Sequence, residues 1–570
     1  MLKIPFSIPV LPFKFKPVDI LIISFIIGIL SVVVYVASGW RYEMQPAVEI
    51  SLELKNLPLY SANSLIRIFF AYFLSLLFSI WYGYTASRSK MHEKVMIPLL
   101  DVLQSIPVLS FLPGVVLAMI AVFPNKRFGV ELAAILLIFT GQVWNIAFSY
   151  FNSINTIPRE LSEVTRVFRH NRFTKFLRLD LPFSAIGLIW NSMMSVAGGW
   201  FFLMACEMFV LKDRDFRLPG LGSFIQTAAN KGDMVHVMYG IGTMILLIII
   251  LDIFIWRPLV AWSQKFRIET VQAEDERESF VLNMLQKSRF IEKVKIFFGQ
   301  KIKKAETLYE EIDLISKGTI AKICRLTAMI FFLLSAILLL LGIFHAIDLF
   351  IGIPLDKYLE VMTSALYSML RTSAALFVAA LWTVPLGVYI GMNPNASRML
   401  QPIVQVIASI PATAVFPVIL LFLIKLGGGL AIGSILLMLL GTQWYILFNV
   451  IAGASAIPND LKEAAKLYGL KGARKWKILI LPAIFPYLVT GLITATGGAW
   501  NATIVSEYVT FGGEVMKTKG LGSLISESSV KGDFGLLLLS TIAMSIIVVS
   551  INRLLWKRMF ALAQEKYRLE

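Results

Sequence analysis

The chain says nearly the same thing twice. Around Glu163 it reads IPRELSEVTRVFRHNRFTKFLRLDLPFSAI, and around Glu463 it reads IPNDLKEAAKLYGLKGARKWKILILPAIFP. The spacing is constant: 463 − 163, 482 − 182, 500 − 200 and 507 − 207 all give 300. In that register Ile157-Pro158 meets Ile457-Pro458, and Leu181-Pro182 meets Leu481-Pro482. Trp200 meets Trp500, Glu207 meets Glu507, and Gly220-Leu221-Gly222 meets Gly520-Leu521-Gly522. Self-similarity on this scale means one structural unit built twice, so any fold of the chain divides into two equivalent modules.

The unit belongs in a bilayer. Hydrophobic residues make up 57% of the chain and charged ones only 16%, with a mean hydropathy of +0.75. Soluble domains lie far from these values. Runs of about 20 apolar residues, enough for a hydrocarbon core of ~30 Å, recur throughout. They predict spans near 18–37, 61–85, 98–123, 129–152, 183–209 and 236–257, then near 323–345, 362–390, 400–425, 428–452, 483–509 and 534–556. The expected fold is an all-α polytopic membrane protein with about twelve transmembrane helices in two six-helix repeats. An even count per repeat gives both copies the same orientation, related by an axis along the membrane normal. The expected division is a first module at 1–267, a charged helical linker at 268–322 and a second module at 323–570.

The net charge of +17 has a membrane explanation, and no nucleic-acid partner is expected. Arg159, Arg166, Arg169, Arg172, Lys175 and Arg178 crowd the loop after the fourth span. Lys462, Lys466, Lys471, Arg474, Lys475 and Lys477 do the same after the tenth. The positive-inside rule makes both loops cytoplasmic and puts both termini there too. The segment 211–235, with Lys212, Arg214 and Arg217, falls outside and departs from the rule. The linker opens with the acidic EDERE at 274–278, then spaces Val281, Leu285, Ile291, Val294, Phe298 and Ile302 roughly as a helix does. A tether and an interfacial or partner-binding helix both fit that pattern. Cys206 and Cys324 stand far apart with no metal-ligand spacing, so no metal site or disulfide framework is expected.

No phosphate-cradling loop, HExxH or nucleophile elbow occurs, and no catalytic residue is expected. The most specific signal is the cytoplasmic loop of the second copy. Pro458 opens it, Asn459 or Asp460 is placed to cap a short helix, and Ala464 and Ala465 keep that helix slim. Gly469 suits the left-handed turn that ends it. Glu463-Ala464-Ala465 with Gly469 resembles the EAA loop of binding-protein-dependent ABC importer permeases. The resemblance covers Ser61–Arg267 and Ala365–Glu570, and it implies the methionine-importer-like permease fold. GGAWNATIVSEY at 497–508 is similar to the nitrate/sulfonate/taurine branch, and SLIR at 64–67, with Arg371 as its counterpart, is compatible with it.

The resemblance implies a permease subunit of an ATP-driven importer for a small solute, an oxyanion or sulfonate. Its expected partners are an ABC ATPase dimer and a periplasmic or lipid-anchored substrate-binding protein. ATP and Mg belong on the ATPase; this chain binds no cofactor itself. The location implied is the cytoplasmic (inner) membrane of a bacterium or archaeon. Glu163, Glu463, Ala464, Ala465 and Gly469 are the residues expected to couple to the ATPase. The first copy departs from the pattern, with Val164-Thr165 for the alanine pair and Arg169 for Gly469. Arg169 is a poor left-handed cap, so Asn171 is expected to supply the turn and the second loop to dock better. Equal docking with mere sequence drift is the competing reading.

Ionisable groups inside spans ask for a reason. Glu207 and Glu507 sit near the outer ends of spans five and eleven, and Arg67 and Arg371 at matching depth in spans two and eight. An Arg–Glu pair in each module would lower the burial cost and could latch an outer gate. Snorkelling or simple packing is the plainer alternative. Trp200 and Trp500 follow glycine pairs that permit close helix approach. They either line a translocation path or pack in the core. Asn501 and Ser506 add polar atoms to span eleven, where the first copy has Phe201 and Cys206. At the same offset Asp101 falls opposite Gln401 and is expected to cap. An ion-coupled secondary carrier is the alternative function; it would want carboxylates deep in the spans and no EAA helix.

Overall fold

The computed structural model describes residues 49–123, 127–211, 214–266, 280–315, 350–425, 429–511 and 514–566, besides a few isolated positions. Helices dominate. In the first module they are α1 (Leu57–Ala86), α2 (Lys90–Ser105), α3 (Leu112–Val122), α4 (Arg127–Asn155), α5 (Arg159–Val167), α6 (Leu181–Glu207), α7 (Leu221–Asn230) and α8 (Met234–Leu251). Within the linker runs α9 (Arg289–Ile315). The second module repeats the order with α10 (Leu355–Met392), α11 (Pro394–Ser409), α12 (Ala412–Lys425), α13 (Gly429–Ser455), α14 (Asn459–Leu467), α15 (Leu481–Ser506), α16 (Leu521–Lys531) and α17 (Phe534–Ile551). A short antiparallel hairpin follows α6 and α15: Val210–Leu211 with Arg214–Asp215, and Tyr508–Phe511 with Glu514–Lys517.

Eight helices among the described residues are long and apolar enough to cross a membrane, four in each module. The expected spans near 18–37 and 323–345 lie outside the described residues, apart from isolated positions, as do EDERE and Cys324. The expected spans near 98–123 and 400–425 need correcting, because neither is one straight helix. Ile106 and Ile410 precede prolines, which force them out of the helical region, to ψ 127° and 116°. In the second module the resulting pair, Pro394–Ser409 and Ala412–Leu423, bends by 83°. The same prolines expose an error of register. Pro98 matches Pro402, and Ser105-Ile106-Pro107 matches Ser409-Ile410-Pro411. There the offset is 402 − 98 = 304, so Asp101 corresponds to Gln405 rather than Gln401; its side chain lies outside the described ones.

Lipid tails give apolar helices no reason to associate, so association rests on close packing and interhelical hydrogen bonds. On α1 the small residues Ala71, Ser75, Ser79 and Gly83 recur every four positions, and all are buried. On α10, Ala375, Ala379, Thr383 and Gly387 repeat them at the 304 offset. The stripe lets α1 press on α4. Ser75 and Ser79 donate to the carbonyls of Phe139 and Val143 at 3.2 and 2.9 Å. A Cβ on Gly83 would come within 2.9 Å of the Tyr150 ring. The modules interlock as well: Ala414, Val418 and Phe511 of the second join the core of the first. Across the same seam the Gln226 carboxamide donates to the Thr510 carbonyl at 3.0 Å.

Candidate functional site: coupling helices, buried ion pairs and a central cavity

The two basic loops fold alike. Pro158 and Pro458, both extended, stand immediately before α5 and α14, with no side-chain cap. Asn459 is thus the first helical residue, and the capping expected of it or of Asp460 does not occur; Asp460 instead places its charge in the first turn, where the helix dipole favours it. Glu163 and Glu463 are exposed, Ala464 is half-buried, and Ala465 and its counterpart Thr165 are buried. At the far end Gly469 takes φ +62°, and Arg169 takes φ +51°. His170 N–H donates to the Thr165 carbonyl and Leu470 N–H to the Ala465 carbonyl, each at 2.9 Å. The expectation that Asn171 would replace Arg169 in this turn is therefore corrected. Asn171 caps the next short helix, accepting from Thr174 N–H at 2.7 Å. Arg169 bears the strain because the turn's hydrogen bonds fix the backbone around it, at a cost of about 1–2 kcal/mol. With both caps the same, the cap offers no basis for unequal docking; what differs is Val164-Thr165 against Ala464-Ala465. At the end of each helix an exposed apolar pair, Val167-Phe168 and Leu467-Tyr468, faces outward.

Arg67 and Glu207 meet, as do Arg371 and Glu507. In the first module the Arg67 Nη1 lies 2.6 Å from Glu207 Oε1. Ser64 donates to the same oxygen at 2.7 Å, and Gly222 N–H to the other at 2.7 Å. In the second, Arg371 Nη1 lies 3.0 Å from Glu507 Oε1, backed by Ser368 and by Gly222's counterpart Gly522. Gly220 and Gly520 close over these carboxylates so tightly that a Cβ at either would overlap the Glu side chain. A carboxylate with such donors loses little on leaving water.

Sequence reasoning missed a third carboxylate. Glu131 grips Arg67 in a fork, Oε2 at 2.6 Å from Nε and Oε1 at 2.8 Å from Nη2, and Arg127 reaches the same carboxylate at 3.2 Å. The second copy has Ala431 and Gly427 at these positions, and Arg371 turns instead to Thr518 Oγ1 at 2.8 Å and the Lys519 carbonyl at 2.7 Å. The signal was present as an acid inside an apolar run. It went unread because its counterpart is alanine.

Between the modules lies a cavity of about 1050 Å³. At one end Thr156 and Ser455 stand near the prolines that precede α5 and α14, with Lys557 and Phe560 nearby; at the other are Phe201, Phe202, Asn501 and Ala502. Carboxamides and hydroxyls are spread along the wall, among them Asn145, Ser149, Asn191, Gln405, Asn449 and Thr494. Among the described residues no carboxylate lines it, and Lys557 is its one charged residue. Asn501 is on this wall, but Trp200 and Trp500 are not; each is 1% exposed and packed in the core. Ser506 is enclosed as well, 3.5 Å from the Thr503 carbonyl. The Arg–Glu pairs lie past this second end of the cavity, at the C-terminal ends of α6 and α15. No group of three or more metal-ligating side chains occurs among the described residues.

Comparison with known proteins places this architecture. A family model described as the inner membrane component of binding-protein-dependent transport systems matches residues 55–264 and again 383–560, together more than half of the chain. The taurine transport system permease protein of Escherichia coli is 28% identical over 161 residues, which are 28% of this chain and 55% of that protein. The bicarbonate transport system permease protein of Synechococcus elongatus is 30% identical over 158 residues, again 28% of this chain and 55% of the relative. The nitrate import permease protein of Synechocystis is 28% identical over 206 residues, 36% of this chain and 69% of the relative. The chain thus spans a little over half the length of the first two. One helical module repeated at an offset of 300, and matched by the same family model in each copy, makes the chain a member of the binding-protein-dependent ABC importer permease family, with two permease modules fused in one polypeptide.

Proposed function

We propose that the chain forms the translocation path of an importer for a small anion, powered by separate ATPase subunits in the cytoplasmic membrane. The observation that carries this reading is the cavity. It runs between the modules from the coupling-helix end, is walled by neutral hydrogen-bonding groups, and among the described residues has Lys557 as its only charge. A low-dielectric path without carboxylates repels no anion, and a single cation at its inner mouth favours one. Three similar proteins are named for taurine, bicarbonate and nitrate transport, all small and anionic at one end or throughout. An ion-coupled carrier finds no support there: the buried Glu131, Glu207 and Glu507 are held by arginines outside the cavity. The two exposed helices α5 and α14, each with an exposed apolar pair at its end, suit docking into clefts of an ATPase dimer. A binding protein on the opposite face would deliver the solute. Both termini lie in the cytoplasm in this arrangement.

The charge argument has a direct test at Ala452, an exposed position on the cavity wall. Ala452→Asp should raise the KM for ATP-driven anion uptake at least tenfold with the chain's membrane level unchanged. Ala452→Asn, which copies Asn152 of the first module, should change it less than threefold. Equal effects of the two substitutions would show that size, not charge, governs the path.

A further inference from the structure

The end of the cavity away from α5 and α14 is built unequally by the two modules. Positions related by 300 carry Asn145 and Tyr445, and Phe201 and Asn501. Each module thus contributes one aromatic and one carboxamide, but in exchanged places. Tyr445 reaches across the seam between modules. Its hydroxyl would stand 3.2 Å from a Cβ on Gly198 of the first module, and its ring edge 3.4 Å from one on Gly498 of the second. Both glycines leave room for that ring, which explains a glycine at this point in each copy. The hydroxyl makes no hydrogen bond among the described residues.

Asn501 lies one helical turn beyond Gly498, so both share a face of α15. It lines the cavity yet is only 8% exposed. Its Nδ2 donates to the Gly497 carbonyl at 3.1 Å, while its Oδ1 is enclosed and has no partner. An enclosed acceptor without a donor is unfavourable, and native proteins keep few of them unless a function uses them. The torsion that carries the carboxamide is broad, so a modest turn aims the oxygen at the cavity. The wall therefore offers a free hydroxyl donor and a free carboxamide acceptor close together, with no carboxylate to repel an anion.

We infer that Tyr445 and Asn501 form a transient subsite for a small oxyanion that carries its own N–H or O–H donor. The Tyr445 hydroxyl donates to the anionic oxygens, and Asn501 Oδ1 accepts from the donor. An aminosulfonate and hydrogencarbonate both have that chemistry, and nitrate, with acceptors only, does not. The inference rests on the anion-importer reading above and narrows its substrate class. A site built to accept a hydrogen bond discriminates strongly against an analogue that cannot give one.

The test is ATP-driven uptake of labelled taurine, bicarbonate and nitrate by cells carrying the whole transporter, with chain abundance and ATPase co-purification measured alongside. The wild type should carry taurine or bicarbonate in preference to nitrate. Asn501→Leu, which approaches the Phe201 of the first module, should lower that uptake roughly tenfold with the ATPase still bound. Tyr445→Phe should lower it several-fold, and Asn501→Leu should leave whatever nitrate uptake exists unchanged. Taurine and bicarbonate arms separate the two donor-bearing sources. Preference for nitrate, indifference of taurine and bicarbonate uptake to both substitutions, or carriage of none of the three by a wild type that binds its ATPase would each overturn the subsite and leave the permease reading standing. A wild type that binds no ATPase would overturn both.

Discussion

Replacing Arg67 by Met should be among the most damaging single changes in the membrane interior. Arg67 is fully buried and neutralises two carboxylates, Glu131 and Glu207, that are themselves 0% exposed. Removing it leaves both inside the protein with one cation between them, Arg127, whose side chain is 23% exposed, while Glu207 keeps the Ser64 hydroxyl and the Gly222 N–H. Breaking a buried pair by deleting one partner costs about 3–5 kcal/mol, because the remaining charge stays desolvated. Arg371→Met should cost less. It strands one carboxylate, Glu507, which keeps the Ser368 hydroxyl and the Gly522 N–H. The measurement is the thermal midpoint of each purified variant and its level in the membrane. Adding Glu207→Gln to Arg67→Met should recover part of the loss, since a neutral carboxamide is cheaper to bury. Equal losses for Arg67→Met and Arg371→Met would remove the case for Glu131 as a second counter-charge.

Gly522→Ala should abolish most transport, and Gly222→Ala should be far milder. At Gly522 a Cβ would overlap the Thr503 carbonyl and come within 2.8 Å of Ile504 N, all backbone of α15. Backbone cannot step aside cheaply, so α16 must move away from α15. That movement pulls the Gly522 N–H off Glu507 and loosens the Arg371 pair. Overpacking of this kind costs about 1–3 kcal/mol, and loss of the hydrogen bond to a buried carboxylate adds to it. At Gly222 the nearest atoms, of the Glu207 side chain and the Met204 Cα, stand at 3.0 to 3.1 Å, so a shift of a few tenths of an ångström makes room for the methyl. Uptake should fall at least tenfold for Gly522→Ala and less than threefold for Gly222→Ala, at matched chain levels.

Much of this structure was legible because the chain states it twice. The repeat at 300 gave the two modules, the basic loops located the coupling helices, and matched depth paired Arg67 with Glu207 and Arg371 with Glu507. What escaped was whatever the two copies do differently or whatever hydropathy averages away. Glu131 is charged in one copy only, so the match between the copies does not bring it out. The bends after Ser105 and Ser409 sit inside runs as apolar as any straight span, and only the Ile-Pro steps mark them. Arg169 was judged by the preference of an isolated residue. The hydrogen bonds of His170 and Phe168 to α5 override that preference. For Trp200 and Trp500 the glycine pairs before them leave a path and a core position both open. In the fold Gly198 and Gly498 lie against Tyr445, and the indoles are buried in the core.

The most direct test of the account is an affinity purification of this chain from gently solubilised native membranes, with the accompanying proteins identified and quantified. A nucleotide-binding subunit should copurify in near-stoichiometric amount. It should be lost when Glu163→Arg and Glu463→Arg are combined, with the chain still folded. Because the caps of α5 and α14 share one geometry, each single reversal should weaken the complex, and any difference between them would trace to Val164-Thr165 against Ala464-Ala465. A wild-type chain that brings down no ATPase, under conditions that preserve another transporter of this kind, would contradict the coupling of this path to ATP.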